Sequence, residues 1–298
     1  MTTLVLGAYG QVGSALRVTL GDDRGYVFVG RSDIDLEKPD LIADYLLRNR
    51  PSCIINAAAY TQVDAAESEE KKAFAVNSTA VEVLAKYALE HDATLVHYST
   101  DYVFNGEATA PYLETDLPAP INVYGHSKWS GEQKIISSGC RHIIFRTSWV
   151  ISAVGKNFVK TILRLAQERD SLNVVNDQIG SPTSAHLIAS VTKDILSLDS
   201  QDLLGSGIYH LSSSGAISWF DVAKFAIKTA NERYFKTRCS ESDVLPIATS
   251  QYPLPARRPC NSKLNTGKLE KFLSKGLPRW ERCVEEVVLE IVEGKVEL

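Results

Sequence analysis

A short apolar run, Thr3-Leu4-Val5-Leu6, leads at once into Gly7-Ala8-Tyr9-Gly10-Gln11-Val12-Gly13, and Val12, Leu16 and Leu20 follow at i, i+4 spacing. That order is a buried strand, a glycine-rich turn and an amphipathic helix, and nothing else in the chain restricts its fold as tightly. Glycines let the backbone approach a pyrophosphate, and the first helical turn offers it free N–H groups and the positive end of the dipole. The spacing is GxxGxxG rather than GxGxxG, and a plain tight strand–helix turn is the alternative reading of these residues alone.

Further apolar runs follow at residues 26–29, 53–56, 95–104 and 143–149, separated by helical patterns. Strands apolar on both faces belong in a parallel sheet covered on both sides. The expected fold is therefore α/β: a Rossmann-type, doubly wound parallel sheet over residues 1–150, rejoined by residues 183–212. A smaller mixed α/β substrate domain is expected over 151–298. In such a sheet ligands sit beyond the carboxyl ends of the strands. The second strand ends in Gly30-Arg31, where an arginine can hold a 2′-phosphate and the glycine leaves room. Ala57-Ala58-Ala59 after the third strand lets a flat ligand lie against the backbone, or else serves dense helix–sheet packing. Asn77 falls among the apolar positions of a long helix, where a buried amide needs partners. His97 points inward along the fourth strand as a packed residue. Thr100 carries a hydroxyl to that strand's end.

The stretch Tyr124-Gly125-His126-Ser127-Lys128 places a phenol and an ammonium one helical turn apart. A phenol ionises near pH ~10. A neighbouring ammonium lowers that value, and reaching about 7 requires roughly 4 kcal/mol of differential stabilisation. Such a pair can move a proton to or from an oxygen at neutral pH.

The net charge is -4 and the pI about 5.9, which argues against a general polyanion binder and leaves room for a local phosphate pocket. The five cysteines are scattered without a CxxC pair, so reduced thiols in a cytoplasmic protein are expected, with neither zinc nor disulfides. With no basic region and long apolar core before the first strand, no signal peptide is expected, and no apolar run approaches the ~20 residues of a membrane span. In the second half, Arg257 and Arg258 can grip phosphates bidentately or simply be solvated.

Together these residues resemble the extended short-chain dehydrogenase/reductase superfamily. The marks are the three glycines, Asn56-Ala57-Ala58, Ser99-Thr100, and Tyr124 with Lys128. Within that superfamily the chain is similar to the dTDP-4-dehydrorhamnose reductase family. Here the marks are residues 97–104, Asn122-Val123-Tyr124-Gly125, residues 145–149, Asn176-Asp177-Gln178 and Arg258-Pro259 with Asn261-Ser262. The resemblance implies a nucleotide-sugar substrate reduced at its 4-keto group by NADPH or NADH, and no nucleic-acid or membrane partner. It implies catalysis by Thr100, Tyr124 and Lys128, with Lys128 depressing the pKa of Tyr124. It implies cofactor contacts from Gly7, Gly10, Gln11, Val12, Gly13, Arg31, Asp35, Leu36, Ala57, Ala58 and Ala59, besides Tyr124 and Lys128. Substrate contacts fall to Thr100, Asp101, Trp149 and Arg258. Some members dimerise through glutamates around Mg2+. Here Gly13-Ser14-Ala15-Leu16 offers no acid, so a monomer or a metal-free homodimer is expected, although Glu285, Glu286, Glu290 and Glu293 are kept. Two other readings share the scaffold. One is a different nucleotide-sugar reductase or epimerase. The other is a non-catalytic dinucleotide-binding subunit resembling the methionine adenosyltransferase beta subunit.

Overall fold

The computed structural model describes residues 2–21, 25–197, 205–233 and 235–294. One six-stranded sheet dominates it: β1 (Thr3–Leu6), β2 (Tyr26–Val29), β3 (Cys53–Asn56), β4 (Thr94–Thr100), β5 (Arg141–Thr147) and the Gly207–His210 strand. Across the sheet the order is β2-β1-β3-β4-β5 and then Gly207–His210, with every pairing parallel. The chain steps outward from β1 to β2, then returns past β1 to β3. That reversal opens a crevice at the carboxyl ends of β1 and β3.

Side chains alternate between the faces of a strand. Leu4, Leu6, Ile54 and Leu95 therefore enter one core, beneath helices Pro39–Asn49 and Ala80–Glu90, while Val5, Ile55 and Val96 enter the other. The second face is covered by α1 (Gln11–Leu20) and by the Ala185–Leu196 helix, which packs on α1. Both the Ala185–Leu196 helix and the Gly207–His210 strand come from beyond residue 150, so the later chain completes the first sheet.

Two elements depart from the sequence expectation. The fourth strand stops at Thr100 rather than running to Phe104, and Asp101–Val103 forms a 3-10 turn. Thr100 caps that turn, its hydroxyl oxygen accepting the Tyr102 N–H at 3.2 Å, a side-chain bond that competes with strand continuation. The long helix around Asn77 is broken into Glu70–Phe74, a π turn at Ala75–Thr79 and Ala80–Glu90. Asn77 sits in the π turn, 1% exposed. Its amide accepts from Tyr60 N (2.8 Å) and donates to Tyr60 O (3.0 Å) and Ser127 Oγ (2.9 Å). The π turn thus aims one amide at the loop after β3 and at the helix carrying Tyr124.

Helices Phe158–Glu168, Trp219–Glu232 and Trp280–Val292 build two further apolar cores with the paired strands Leu172–Val175 and Val244–Ile247. Asn157 and Ser218 cap the first two of these helices. Beneath the sheet's carboxyl edge, Arg146 of β5 makes three hydrogen bonds to Glu132 at 3.0, 3.2 and 2.6 Å, and neither side chain is more than 2% exposed. Ser99 also donates to Glu132 at 2.5 Å, and the guanidinium lies 5.1 Å from the centre of the Phe104 ring.

Candidate active site

A cavity of about 650 Å³ lies over the β1/β3 crevice. Its floor is the glycine turn. Gly7 holds φ +81°, and a Cβ there would meet Ala58 N at 2.7 Å; one on Gly13 would meet Gly7 O at 2.0 Å. These two glycines let the turn, α1 and the alanine loop close on one another. Gly10 is different: its nearest such contact is Gly7 O at 3.4 Å, so its space stays open toward the cavity. Gly10 caps α1 with no side-chain hydrogen bond, which leaves the first N–H groups of α1 for an anion. Gln11 and Val12 line the same wall, and Gln11 also accepts from Asn157 Nδ2 at 2.9 Å, tying α1 to the later chain.

The far end of the cavity is lined by Arg31, Asp35 and Leu36. Asp35 accepts from the Glu37 N–H at 3.1 Å, which with Lys38 holds its carboxyl below the usual range. Arg31 is 73% exposed and pairs with Glu37 at 2.7 Å. The room at Gly30 does not serve a phosphate: the Tyr9 ring fills it, 2.5 Å from where a Cβ would stand. Ala57, Ala58 and Ala59 form the opposite wall, with Tyr60, Lys72 and Lys156 at its edges. The sequence reading missed the last three, which reach the cavity only through tertiary packing.

Tyr124 and Lys128 both line this cavity. Asn122 caps their helix, accepting from Gly125 N at 2.7 Å, while its amide donates to Arg257 O. The Tyr124 hydroxyl faces Thr100, and its ring meets Tyr102 edge-on at 5.7 Å. Burial pushes the phenol up to about 12; the Thr100 hydroxyl pulls it down and the Asp101 charge raises it further. Lys128 is not among the groups acting on it, so the depression expected from spacing alone is absent here. The reason is where Lys128 points: Nζ donates to Tyr98 O at 2.6 Å and lies 3.2 Å from His97 Nε2. Burial brings Lys128 itself down to about 8, with Glu132 opposing.

Asp101 is 3% exposed behind Thr100, whose hydroxyl donates to Oδ1 at 3.1 Å. Its Oδ2 has no bonded partner; the Ser262 hydroxyl is close enough to favour the anion without meeting bonding geometry. Burial raises the carboxyl from 3.8 to about 6. A folded pKa above the unfolded one gives stability that is full below pH ~4 and is lost as pH rises through about 6. The loss is about 3 kcal/mol at most. Asp101→Asn keeps an acceptor for Thr100 without the charge. Melting curves at pH 5 and pH 8 are expected to show a variant that loses less stability on going alkaline; an unchanged slope would place the cost elsewhere.

A second cavity of about 720 Å³ adjoins Tyr102 and is lined by Trp219, Gln178, Tyr252, Arg257 and Arg258 among others. Trp149 does not reach either cavity. Its backbone holds φ +48°, its ring stacks 3.5 Å from Trp219, and Gly180 lies against its other side. Trp219 is the tryptophan that faces the space. The signal for it was the helix cap at Ser218, which places the next residue at an open helix start. Arg258 lines the cavity, but its fork is bound to Asp64 at 2.6 and 2.5 Å, with a further bond to Ala256 O. Arg258 therefore clamps this segment to the short Val63–Ala66 helix, and the exposed Arg257 beside it is the freer charge.

Known proteins are similar to this chain in sequence and in fold. A family model described as the RmlD substrate binding domain matches residues 1–292. The dTDP-4-dehydrorhamnose reductase of Escherichia coli K12 is 42% identical over 297 residues, covering 98% of both chains. That of Sinorhizobium fredii is 42% identical over 300 residues, covering 99% of both. The crystal structure of the dTDP-4-dehydrorhamnose reductase from Bacillus anthracis in complex with NADP superposes with a TM-score of 0.88 at 33% identity, covering 98% of this chain and 100% of that one. With agreement along nearly the whole length in sequence and in fold, this chain belongs to the RmlD substrate-binding-domain family.

Proposed function

We propose that this protein reduces the 4-keto group of dTDP-4-dehydro-L-rhamnose, with NADPH as reductant, to give dTDP-L-rhamnose. One observation carries the reading: Tyr124, backed by Thr100, lines the first cavity and packs its ring against Tyr102, which lines the second. The first cavity fits a dinucleotide, with the open Gly10 and the uncapped α1 N-terminus for the diphosphate, Ala57 to Ala59 for a flat ring, and Arg31, Asp35 and Leu36 at the adenosine end. The cofactor, when bound, supplies the hydride. Tyr124, protonated throughout the neutral range, gives its proton to the substrate oxygen as that oxygen gains charge. Thr100, beside the phenol, turns its one hydroxyl proton from Asp101 to the same oxygen when substrate binds. Lys128 holds the ribose side of the cavity. Trp219 and Arg257 offer the nucleotide-sugar an apolar wall and a charge. Loss of NADPH absorbance on adding the 4-keto nucleotide-sugar tests the reading; no loss, with cofactor still bound, would leave a dinucleotide-binding protein without this activity.

Arg31 presents a permanently charged fork at the rim, tempered by Glu37. NADPH is therefore expected to be preferred over NADH, modestly. Arg31→Ala should narrow the ratio of the two kcat/KM values, and an unchanged ratio would mark Arg31 as merely solvated.

All five cysteines are free, which suits the reducing cytoplasm. Among the described residues, no helix is long and apolar enough to cross a membrane. A metal bridge between subunits is not expected, because α1 starts without an acid and Glu290 is paired with His186 at 2.8 Å. Light scattering should give the same mass with and without a divalent chelator; dissociation on chelation would reveal a bridge built by other residues.

A further inference from the structure

His97 and Asn56 have no role in the account so far, yet they end on Lys128. Both are buried, and they are register partners across β3 and β4. Asn56 Oδ1 accepts the Ala58 N–H at 3.2 Å, so its Nδ2 is the atom 3.1 Å from His97 Nδ1. An amide nitrogen only donates, so Nδ1 accepts, and a neutral ring then carries its proton on Nε2. The ring is neutral, because burial holds its pKa well below the usual value. Its Nε2 is 3.2 Å from Lys128 Nζ. An ammonium has three donors and no acceptor, so it gains nothing from a ring N–H. A neutral amine fits: its lone pair accepts from Nε2–H while one of its hydrogens goes to Tyr98 O. Flipping the Asn56 amide would set two donors, its own NH2 and the Ala58 N–H, against each other.

From this series of Ala58 N–H, Asn56 amide, His97 ring and Lys128 amine, we infer that His97 is a positioning residue that holds Lys128 as a neutral amine in the ligand-free protein, so that Lys128 takes a proton from solvent as cofactor enters. The proton balance is simple: the amine plus one proton from water gives the ammonium, which can no longer accept from Nε2–H and is driven toward the cavity. Ala58 lines that cavity together with Lys128, so the ligand meets both ends of the series. The other ionisable groups around Lys128 are Tyr124 on its own helix, Glu132 one turn further on, Asp101 behind Thr100, and Arg146 of β5. Glu132 is committed to Arg146 and Ser99. Burial alone brings Lys128 to about 8, and the bond from His97 Nε2–H, which only the amine can accept, carries it lower still.

The inference rests on the site roles proposed above, but its tests use ligand-free enzyme, so it can fail while reductase turnover stands. Long-range proton–nitrogen NMR of the wild-type protein, with the His97 signal assigned by its loss in His97→Gln, is expected to show the Nε2–H tautomer at neutral pH. An Nδ1–H ring would overturn the inference. Titration of the Lys128 Cε signal, assigned with Lys128→Arg, is expected to have a midpoint below about 7 in the wild type, more than three units beneath the ordinary ~10.4. Asn56→Asp offers Nδ1 a carboxylate, moves the ring proton to Nδ1 and frees Nε2 to accept from an ammonium. His97→Gln offers the ammonium an amide oxygen without added charge. In both variants the midpoint should rise by about one unit or more, a tenfold change in proton affinity. A wild-type midpoint above about 7 would overturn the inference, as would variants that do not shift it.

Discussion

A Tyr124→Phe enzyme is expected to turn over ~10²–10⁴-fold more slowly than the wild type, the usual range for loss of a general acid. The substitution removes only the hydroxyl. The ring remains to pack edge-on against Tyr102, and the helix cap at Asn122 does not involve it. Cofactor affinity, read by fluorescence titration, should therefore change little, because the glycine turn, the alanine loop and Lys128 are untouched. The acid assignment has a pH consequence. The form that works is the protonated phenol, and burial raises its pKa to about 12, so it stays protonated as pH rises from neutral until well into the alkaline range. Any loss of turnover near pH 8 belongs to another group, with Lys128 the first candidate. Lys128→Ala should differ from Tyr124→Phe by weakening cofactor binding as well as turnover. Wild-type turnover in Tyr124→Phe would remove Tyr124 from the proton transfer altogether.

Arg146→Met is expected to cost the fold about 3–5 kcal/mol, the largest stability loss among the changes considered. Methionine fills much of the volume beside Phe104, so the loss is electrostatic rather than a cavity. Glu132 is fully buried, takes three bonds from Arg146 and one from Ser99, and without the guanidinium would remain a buried charge with one hydroxyl partner. For a protein of this size that corresponds to a fall in melting temperature on the order of 10 °C. A double variant with Glu132→Leu should recover much of the loss, because a buried pair replaced by apolar groups is often neutral. Thermal and urea unfolding of the two single variants and the double decide it. A single-variant loss below about 1 kcal/mol would mean that water reaches Glu132.

Local patterns were the legible ones. The strand, glycine turn and helix at the N-terminus are set by neighbours in sequence, as is the one-turn spacing of Tyr124 and Lys128. The cap at Ser218 is equally local, set by Asp221 three residues on. What sequence could not carry is which partner a long polar side chain finds. Lys128 stands one turn from Tyr124, but Tyr98 and His97 of β4 supply its acceptor and its donor. Arg258 looked free for phosphate, but Asp64, distant in sequence, takes its fork. Trp149 and Trp219 exchange places because a left-handed backbone at Trp149 turns its ring onto Gly180. Gly30 has no side chain because Tyr9 needs the space. The π turn at Asn77 is hidden for the same reason: the apolar spacing of residues 70–90 suits an unbroken helix, and only the two-sided bond to Tyr60 explains the insertion.

The identity of the product tests the central claim most directly. Purified protein would be given NADPH and dTDP-4-dehydro-L-rhamnose, and the product examined by mass and by NMR stereochemistry at C4. The expected result is dTDP-L-rhamnose as a single C4 epimer, formed in step with NADPH consumed and lost in Tyr124→Phe. The UDP counterpart should react more slowly rather than not at all, because a contact to one methyl discriminates by only about 1–3 kcal/mol. Tight NADPH binding with neither sugar reduced would contradict the account.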